Sequence, residues 1–452
     1  MTLKNFIKDY HDMLAAGTMA EDSQAQLDDQ QRRRGLFFGQ RPLTTVLRPR
    51  FLTYQQYQYV LGGTRGLLSA FDKIHQAALT SDEFRAQFDL FEWEEELVRH
   101  DPGFNTPTPI SRLDAFYMPE SGEMWFTEYN AETPAAPAYN DTLTDVFYAL
   151  PIMRQFLRKY ELRSLPARHG VLHALADAFE QWAGTRREAP RICILDWREV
   201  PTYSEFVLFE QYFHSQGIEC IIADPAECEY RDGKLMVGDF HINLIFKRVL
   251  IGELIERGGM NHPVVRAVLE NAVCMVNPFN CKMLYKKASL AVLSDEQNAH
   301  LFTQRELASI HSHIPWTRRV EERHTTYKGL PIDLLPFILK YRERLVLKPN
   351  DDYGGHGIVL GWTVSDVEWS EALKHALTTP YIVQDRVPVP SEPYPSLING
   401  ELHVIDRMLD TDPFIFHGTT VYGCLTRLST ADLLNVTAGG GSTVPTFVVE
   451  KR

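Results

Sequence analysis

RLVLKPNDDYGGHGIVLGW, residues 344–362, opens with an apolar strand pattern that ends on Lys348. A turn rich in acids and glycines follows, and a second apolar run begins at Ile358. Gly354, Gly355 and Gly357 leave the backbone without Cβ atoms. A hairpin of this kind can lay backbone N–H groups over phosphates while the lysine supplies a point charge. The glycines are spaced GGxG rather than GxGxxG, and GxxxxGK[ST] occurs nowhere in the chain. Read alone, the stretch also fits a glycine-rich turn with a surface lysine. Asp351 and Asp352 are expected as exposed turn residues.

Composition narrows the choices. The chain has 452 residues, 44% of them hydrophobic, which is enough for a sizeable core in two or three domains. Its net charge of −13 runs against a nucleic-acid binder. The six cysteines are scattered with no CxxC pair, which fits a reducing cytoplasm better than a disulfide framework or a zinc site. The N-terminal segment has no uninterrupted apolar run of the signal-peptide kind. No run of about 18 apolar residues is present, so no membrane span is expected.

Working outward, residues 1–35 read as polar helix and 41–55 as extended. Helices are expected over 54–78 and 81–100, the second with Phe84, Phe88, Phe91 and Val98 on one apolar face. Residues 110–117 and 124–130 alternate around a Pro-Glu-Ser-Gly turn, a hairpin signature. A helix should begin near Asn140 or Asp141, with a kink or break at Pro151. Residues 190–280 alternate strand and helix: RICILDW, GIECIIAD, HINLIFKRV and AVCMVNP each read as a strand of a mainly parallel sheet. Residues 281–315 read as helical. A capping box at Ser365 and Glu368 opens a helix over 366–378, and 381–387 is a further strand.

The chemistry concentrates in a few places. Arg112 and Asp114 stand two apart on one strand of the 110–130 hairpin, and Glu128 and Asn130 two apart on the other. Paired strands would bring a guanidinium and three oxygen ligands together, a donor set suited to Mg²⁺ held with substrate phosphates. Otherwise they form a solvated polar face. Lys287 precedes an apolar run, and Lys348 ends the opening strand. The 381–387 strand, with Gln384 and the Val387 backbone, could meet an adenine edge, or be core alone. Near the C-terminus, Arg427 and the run Asn435 to Ser442, with Gly439, Gly440 and Gly441, suit close approach to an anion. His311 and His313 read as loop or helix-end residues. No HExxH, GxSxG or Cys-His nucleophile signature occurs.

In this order, the pieces resemble the circularly permuted ATP-grasp family, most closely the synthetase domain of glutathionylspermidine synthase. The family pattern R-x-D, then E-x-N before a proline-containing loop, is met by Arg112-Leu-Asp114 and by Glu128-Tyr-Asn130 ahead of Pro134. The lysine before an apolar helix is Lys287, and the K-P…GG-x-G stretch runs from Lys348 to Gly357. Arg427, Asn435 and Gly439–Gly441 complete the set. Ordinary ATP-grasp enzymes place the lysines first and the acid/Asn set late; the order here is reversed. Two departures stand out: Ala135-Ala136 replaces the Ser-Gly common after the loop proline, and the C-terminus reads STVPTFVV without the acidic, tryptophan-containing ending.

The resemblance implies an α/β and α+β chain with a circularly permuted ATP-grasp fold behind an N-terminal, mainly helical region. The implied division is 1–105 helical, 106–185 the metal-binding hairpin and its helices, 186–280 an α/β domain, and 281–452 the nucleotide lobe. It further implies an ATP-dependent carboxylate–amine ligase acting through an acyl phosphate. ATP and Mg²⁺ would be used, with a small-molecule or peptide carboxylate and an amine acceptor as partners. Asp114, Glu128 and Asn130 would hold Mg²⁺. Lys287 and Lys348 would meet the nucleotide phosphates, and Arg112 and Arg427 would stabilise developing charge. A phosphotransferase, or an ATP-binding module without turnover, are the rival readings. Neither substrate identity nor oligomeric state is legible.

Overall fold

Residues 2–185, 188–351, 355–430 and 441–452 are described by the computed structural model. The 344–362 stretch forms the expected hairpin. Leu345–Pro349 runs antiparallel to Val359–Leu360, with Val346 opposite Leu360 and Leu347 opposite Val359. On its other side Leu345–Pro349 pairs with Tyr381–Asp385, which pairs with Thr317–Arg319 to complete a four-stranded sheet. Alternation sends Leu345 and Leu347 to one face, where they pack with Trp369 and Leu373 of helix Asp366–Ala376. The capping box is formed: Glu368 N–H donates to Ser365 Oγ, and Ser365 N–H donates to the Glu368 carboxylate. Lys348 faces the opposite way, toward the body of the molecule.

That body is built on a large, mostly antiparallel sheet. Its main order is Ser391–Ile398, Glu401–Leu409, Thr420–Ser429, Asp412–Phe416, Ile110–Met118, Glu123–Asn130. Ser442–Lys451 joins Thr420–Ser429 and then pairs with Arg50–Leu52 and Tyr160–Ser164. The sheet therefore crosses the expected boundaries after 105 and 280. Residues 50–52 supply a strand, and the 110–130 hairpin lies beside the C-terminal strands. Phe6 and Tyr10 of helix Leu3–Leu14 share one core with Phe51, Phe156 and Phe447. Helix Tyr54–Thr80 covers the other face, burying Leu67, Phe71 and Ile74 against Leu113, Phe126 and Tyr129.

The single helix expected over 81–100 is broken. It becomes Asp82–Arg85, a 3-10 turn at Ala86–Phe88, a left-handed Asp89 and the short helix Glu92–Leu97. The carbonyls that would continue it are used elsewhere: Arg319 donates to Ala86 O at 2.9 Å and Asn350 Nδ2 to Phe88 O at 2.8 Å. Phe91 leaves the predicted apolar face and is exposed, while Phe88 and Val98 are buried.

Residues 190–280 form the expected parallel layer, in the order Cys274–Val276, Leu244–Lys247, Arg191–Leu195, Glu219–Ala223. HINLIFKRV is two strands rather than one. Phe240–Ile242 closes a small antiparallel meander, and Leu244–Lys247 enters the parallel sheet. Asn243 sets the bend, accepting the Arg191 N–H at 2.6 Å and donating to Ala189 O at 3.0 Å. The chain steps from Arg191–Leu195 to one side, then crosses back to the other. The strand order thus reverses between Arg191–Leu195 and Leu244–Lys247, where open α/β sheets bind ligands beyond the carboxyl ends. All six cysteines are buried free thiols. No helix among the described residues is long and apolar enough to cross a membrane.

Candidate active site

Strand register brings the hairpin set together, with Arg112 opposite Asn130 and Asp114 opposite Glu128. Arg112 grips Asp114 with two hydrogen bonds, Nε to Oδ1 at 2.6 Å and Nη2 to Oδ2 at 2.9 Å. Its Nη1 donates to Ala135 O at 2.9 Å. Arg427 of Thr420–Ser429 donates to the same Asp114 Oδ2 at 2.7 Å and to Asp410 Oδ2 at 2.6 Å. Asp412 Oδ2 lies 3.3 Å from Arg427 Nη2. Three buried carboxylates therefore share two guanidinium groups. Burial pushes Asp410 and Asp412 upward, and Asp114 adds to it. Burial works the same way on Asp114, but Arg112 and Arg427 outweigh it and hold that carboxyl low.

The two lysines converge on this hairpin from the other lobe. Lys287 Nζ lies 3.2 Å from Glu128 Oε1. Its helix, Ala288–Ser294, is tied to the hairpin base by the Lys287 N–H on Asn350 O and the Ala288 N–H on Asn350 Oδ1. Lys348 Nζ donates to Gln384 Oε1 at 2.7 Å and to Thr127 O at 3.2 Å. Burial lowers Lys348 to about 8, opposed by Glu128 and reinforced by Lys287. Gln384 is buried, and its Nε2 donates to Thr317 Oγ1 at 3.0 Å, so its amide positions the lysine and is not open to an adenine edge. Val387 lies beyond the end of Tyr381–Asp385.

Gly355 and Gly357 have left-handed backbone, φ +79° and +67°, which suits glycine. At Gly357 a Cβ would also meet Pro349 Cγ at 2.8 Å. Gly354, Asp352, Asn435, Gly439 and Gly440 lie outside the described residues. Ser442 is spent within the fold, its Oγ accepting the Thr45 N–H at 3.1 Å. His313 sits at the expected helix end, buried, with Nδ1 3.0 Å from Met124 O.

A buried charge network escaped the sequence reading. Lys282 Nζ lies 2.9 Å from Asp351 Oδ1 and 3.3 Å from Glu132 Oε2. Lys286 Nζ lies 2.6 Å from Glu94 Oε2 and 3.2 Å from Asp351 Oδ2. Lys247 Nζ lies 3.4 Å from Glu132 Oε1. Asp351 is thus no exposed turn residue: it anchors the glycine turn to two buried lysines. Burial would raise it, but Lys282 and Lys286 hold it far below the usual carboxylate range. Each member looks like a solvated charge in the sequence, because its partners come from distant segments.

A cavity of about 350 Å³ joins the two halves. Arg112, Glu128, Asn130, Gly355 and Arg427 line it together with Asp196, Arg248 and Glu253. Asp196 and Arg248 stand just past the carboxyl ends of the two strands that flank the order reversal. Sequence reasoning missed both, although their place at the ends of apolar strand runs was a usable signal.

The residues fit a Mg²⁺ ion that also binds phosphate oxygens. Glu128 and Asn130 face the cavity as hard oxygen donors. Asn130 helps hold Asp114 down, yet its buried Nδ2 makes no well-formed hydrogen bond among the described residues. Asp114 does not line the cavity, and both its oxygens are held by arginine, so its place is behind Arg112. Among the described residues, no group of three or more His, Cys, Asp and Glu is arranged to hold a metal by itself.

No protein-family model matches the sequence, and no curated protein matches it. Among solved structures, the chain is similar to a glutathione synthetase-like effector from Globodera pallida in its apo form. The TM-score is 0.61 at 11% identity, covering 94% of this chain and 96% of that one. The two share a mixed α/β fold. The chain also aligns with a protein put forward as a gamma-glutamylcysteine synthetase from Methylobacillus flagellatus, at TM-score 0.44 and 12% identity. That alignment covers 88% of this chain and 89% of that one. A RimK domain ATP-grasp protein from Sphaerobacter thermophilus aligns at TM-score 0.28 and 14% identity, over 58% of this chain and 90% of that one. Only the first likeness is close enough to bear on the fold.

Proposed function

We propose that the protein is an ATP-dependent carboxylate–amine ligase of ATP-grasp type, with its parts in circularly permuted order. One observation carries the reading: Lys287 pairs with Glu128, and Lys348 bonds the adjacent Thr127 carbonyl, where Glu128 lines a cavity together with Arg112, Arg427 and the parallel-sheet residues Asp196 and Arg248. The fold shared with a glutathione synthetase-like effector supports it.

In this reading the ATP phosphates lie under the glycine turn, against Lys287 and Lys348. A substrate carboxylate beside Arg112 attacks the γ-phosphorus, and ADP leaves. Arg112 and Arg427 face the charge that develops on the acyl phosphate and on the tetrahedral adduct. An amine then attacks the acyl carbon, and phosphate departs as the amide forms. Mg²⁺ held by Glu128 and Asn130 would neutralise phosphate charge. Asp114, gripped by both arginines, fixes their direction. The residues position and neutralise, and no protein nucleophile is required.

The test is incubation with ATP, Mg²⁺ and pooled amino acids, polyamines and small peptides, following ADP and product mass. One new amide per ADP is the expected result. ADP with a phosphorylated product and no amide would make it a phosphotransferase. Absence of nucleotide binding by calorimetry would overturn the site.

A further inference from the structure

Charges of both signs line the cavity, and the proposed reaction has used Arg112, Arg427 and Glu128. Asp196, 7% exposed, lines the same cavity at the carboxyl end of Arg191–Leu195. One of its oxygens, Oδ1, accepts the Trp197 N–H at 2.8 Å. Among the described residues it has no ion-pair partner. Arg248, its neighbour on the cavity wall, is engaged elsewhere: Nη1 donates to Pro134 O at 2.5 Å, and Nη2 lies 3.5 Å from Glu205 Oε2. A buried carboxylate without a counter-ion is costly, and a cationic ligand group would remove that cost.

An amide-forming enzyme has such a cation to bind. Amines enter from neutral water as ammonium ions, which have no lone pair to attack with. We propose that Asp196 binds the ammonium of the acceptor amine and takes a proton from it as the attack begins. This rests on the ligase reading. The proton passes from nitrogen to the Asp196 carboxylate, and the freed lone pair forms the bond to the acyl carbon. The carbon–oxygen bond to phosphate breaks, and phosphate leaves with that electron pair. The nitrogen sheds its second proton to the departing phosphate. The acceptor is therefore a primary or secondary amine, whose ammonium carries the two protons the step gives up, met where Asp196 lines the cavity.

The surroundings suit a base that works near neutrality. Burial raises Asp196 to about 7. Its own Trp197 N–H, with Arg248 and Lys247 on the adjacent strand, pulls it down; Glu253, on helix Ile251–Gly258, pushes it up.

Hydroxylamine separates the steps, because it is uncharged near neutrality and attacks an acyl phosphate without a base. Asp196→Asn should form amide from the amine pool about 100-fold more slowly than wild type. Its hydroxamate yield, from ATP, the carboxylate pool and hydroxylamine, should stay within about twofold of wild type. Asp196→Glu should recover part of the amide rate. If amide and hydroxamate fall together in Asp196→Asn, the residue is structural and the proposal is overturned. Unchanged amide formation overturns it as well. If wild type forms no hydroxamate, the ligase reading itself falls, which is a different failure.

Discussion

Lys348 Nζ donates a 2.7 Å hydrogen bond to Gln384 Oε1 on the neighbouring strand, so the cation at the base of the glycine turn is aimed by its own sheet. Burial has lowered it to about 8, so it is protonated at pH 7 and loses its charge as pH rises through 8. Nucleotide affinity by calorimetry should therefore weaken between pH 7 and 9. Lys348→Arg should abolish that slope, and Lys348→Ala should weaken binding at least about tenfold at pH 7, the equivalent of about 1.4 kcal/mol. The stability term has its own sign. The folded value lies below the ordinary lysine value of 10.5, so between about 8 and 10.5 the unfolded chain binds more protons. This lysine's contribution to stability rises with pH across that window.

Arg427 carries charge from three carboxylates, Asp114, Asp410 and Asp412. Arg427→Ala would leave Asp410 and Asp412 buried with Arg112 as their nearest remaining cation. Urea denaturation should show a loss of about 3 kcal/mol. Adding Asp410→Asn should return part of it, because one uncompensated charge is removed. Strict additivity of the two changes would contradict the shared cluster.

Asp351 links the glycine turn to Lys282 and Lys286. Its carboxyl is held below its usual 3.8, so its stabilisation is complete above that value and is lost as pH falls beneath it. Asp351→Asn should cost about 3 kcal/mol at neutral pH. It should also flatten the acid limb of the stability curve below pH 3.8. Equal losses at pH 3 and pH 7 would show that the charge is not the cause.

Gly361 sits where the hairpin passes the chain that enters it. A Cβ there would stand 1.9 Å from Arg342 O and 2.8 Å from Leu345 O, both backbone atoms that cannot swing aside. Gly361→Ala should destabilise the sheet built on Leu345–Pro349 by about 3 kcal/mol and, on the proposed ligase reading, weaken nucleotide binding with it. A melting temperature equal to wild type would show that the backbone can yield.

Much of the site was legible because its members sit at fixed local spacings. Arg112 and Asp114, like Glu128 and Asn130, are two apart on strands, and period-two geometry alone puts each pair on one face. The capping box at Ser365 and Glu368, the 344–362 hairpin and the strands of the parallel layer were readable for the same reason: their determinants lie within a few residues.

What escaped lies in partners far along the chain. Helical periodicity continued through 81–100, but Arg319 and Asn350 take the carbonyls it needed. Gln384 looked free until Lys348 and Thr317 were seen to use its amide. Asp351 looked solvated until Lys282 and Lys286 closed on it. The sequence by itself determined the strands, turns and charged pairs, because these follow from local alternation and backbone preference. Only the tertiary structure decided which charges are buried, which are neutralised, and that Asp196 lines a cavity with no ion-pair partner among the described residues. Burial and pairing depend on what other segments bring, and no local spacing encodes that.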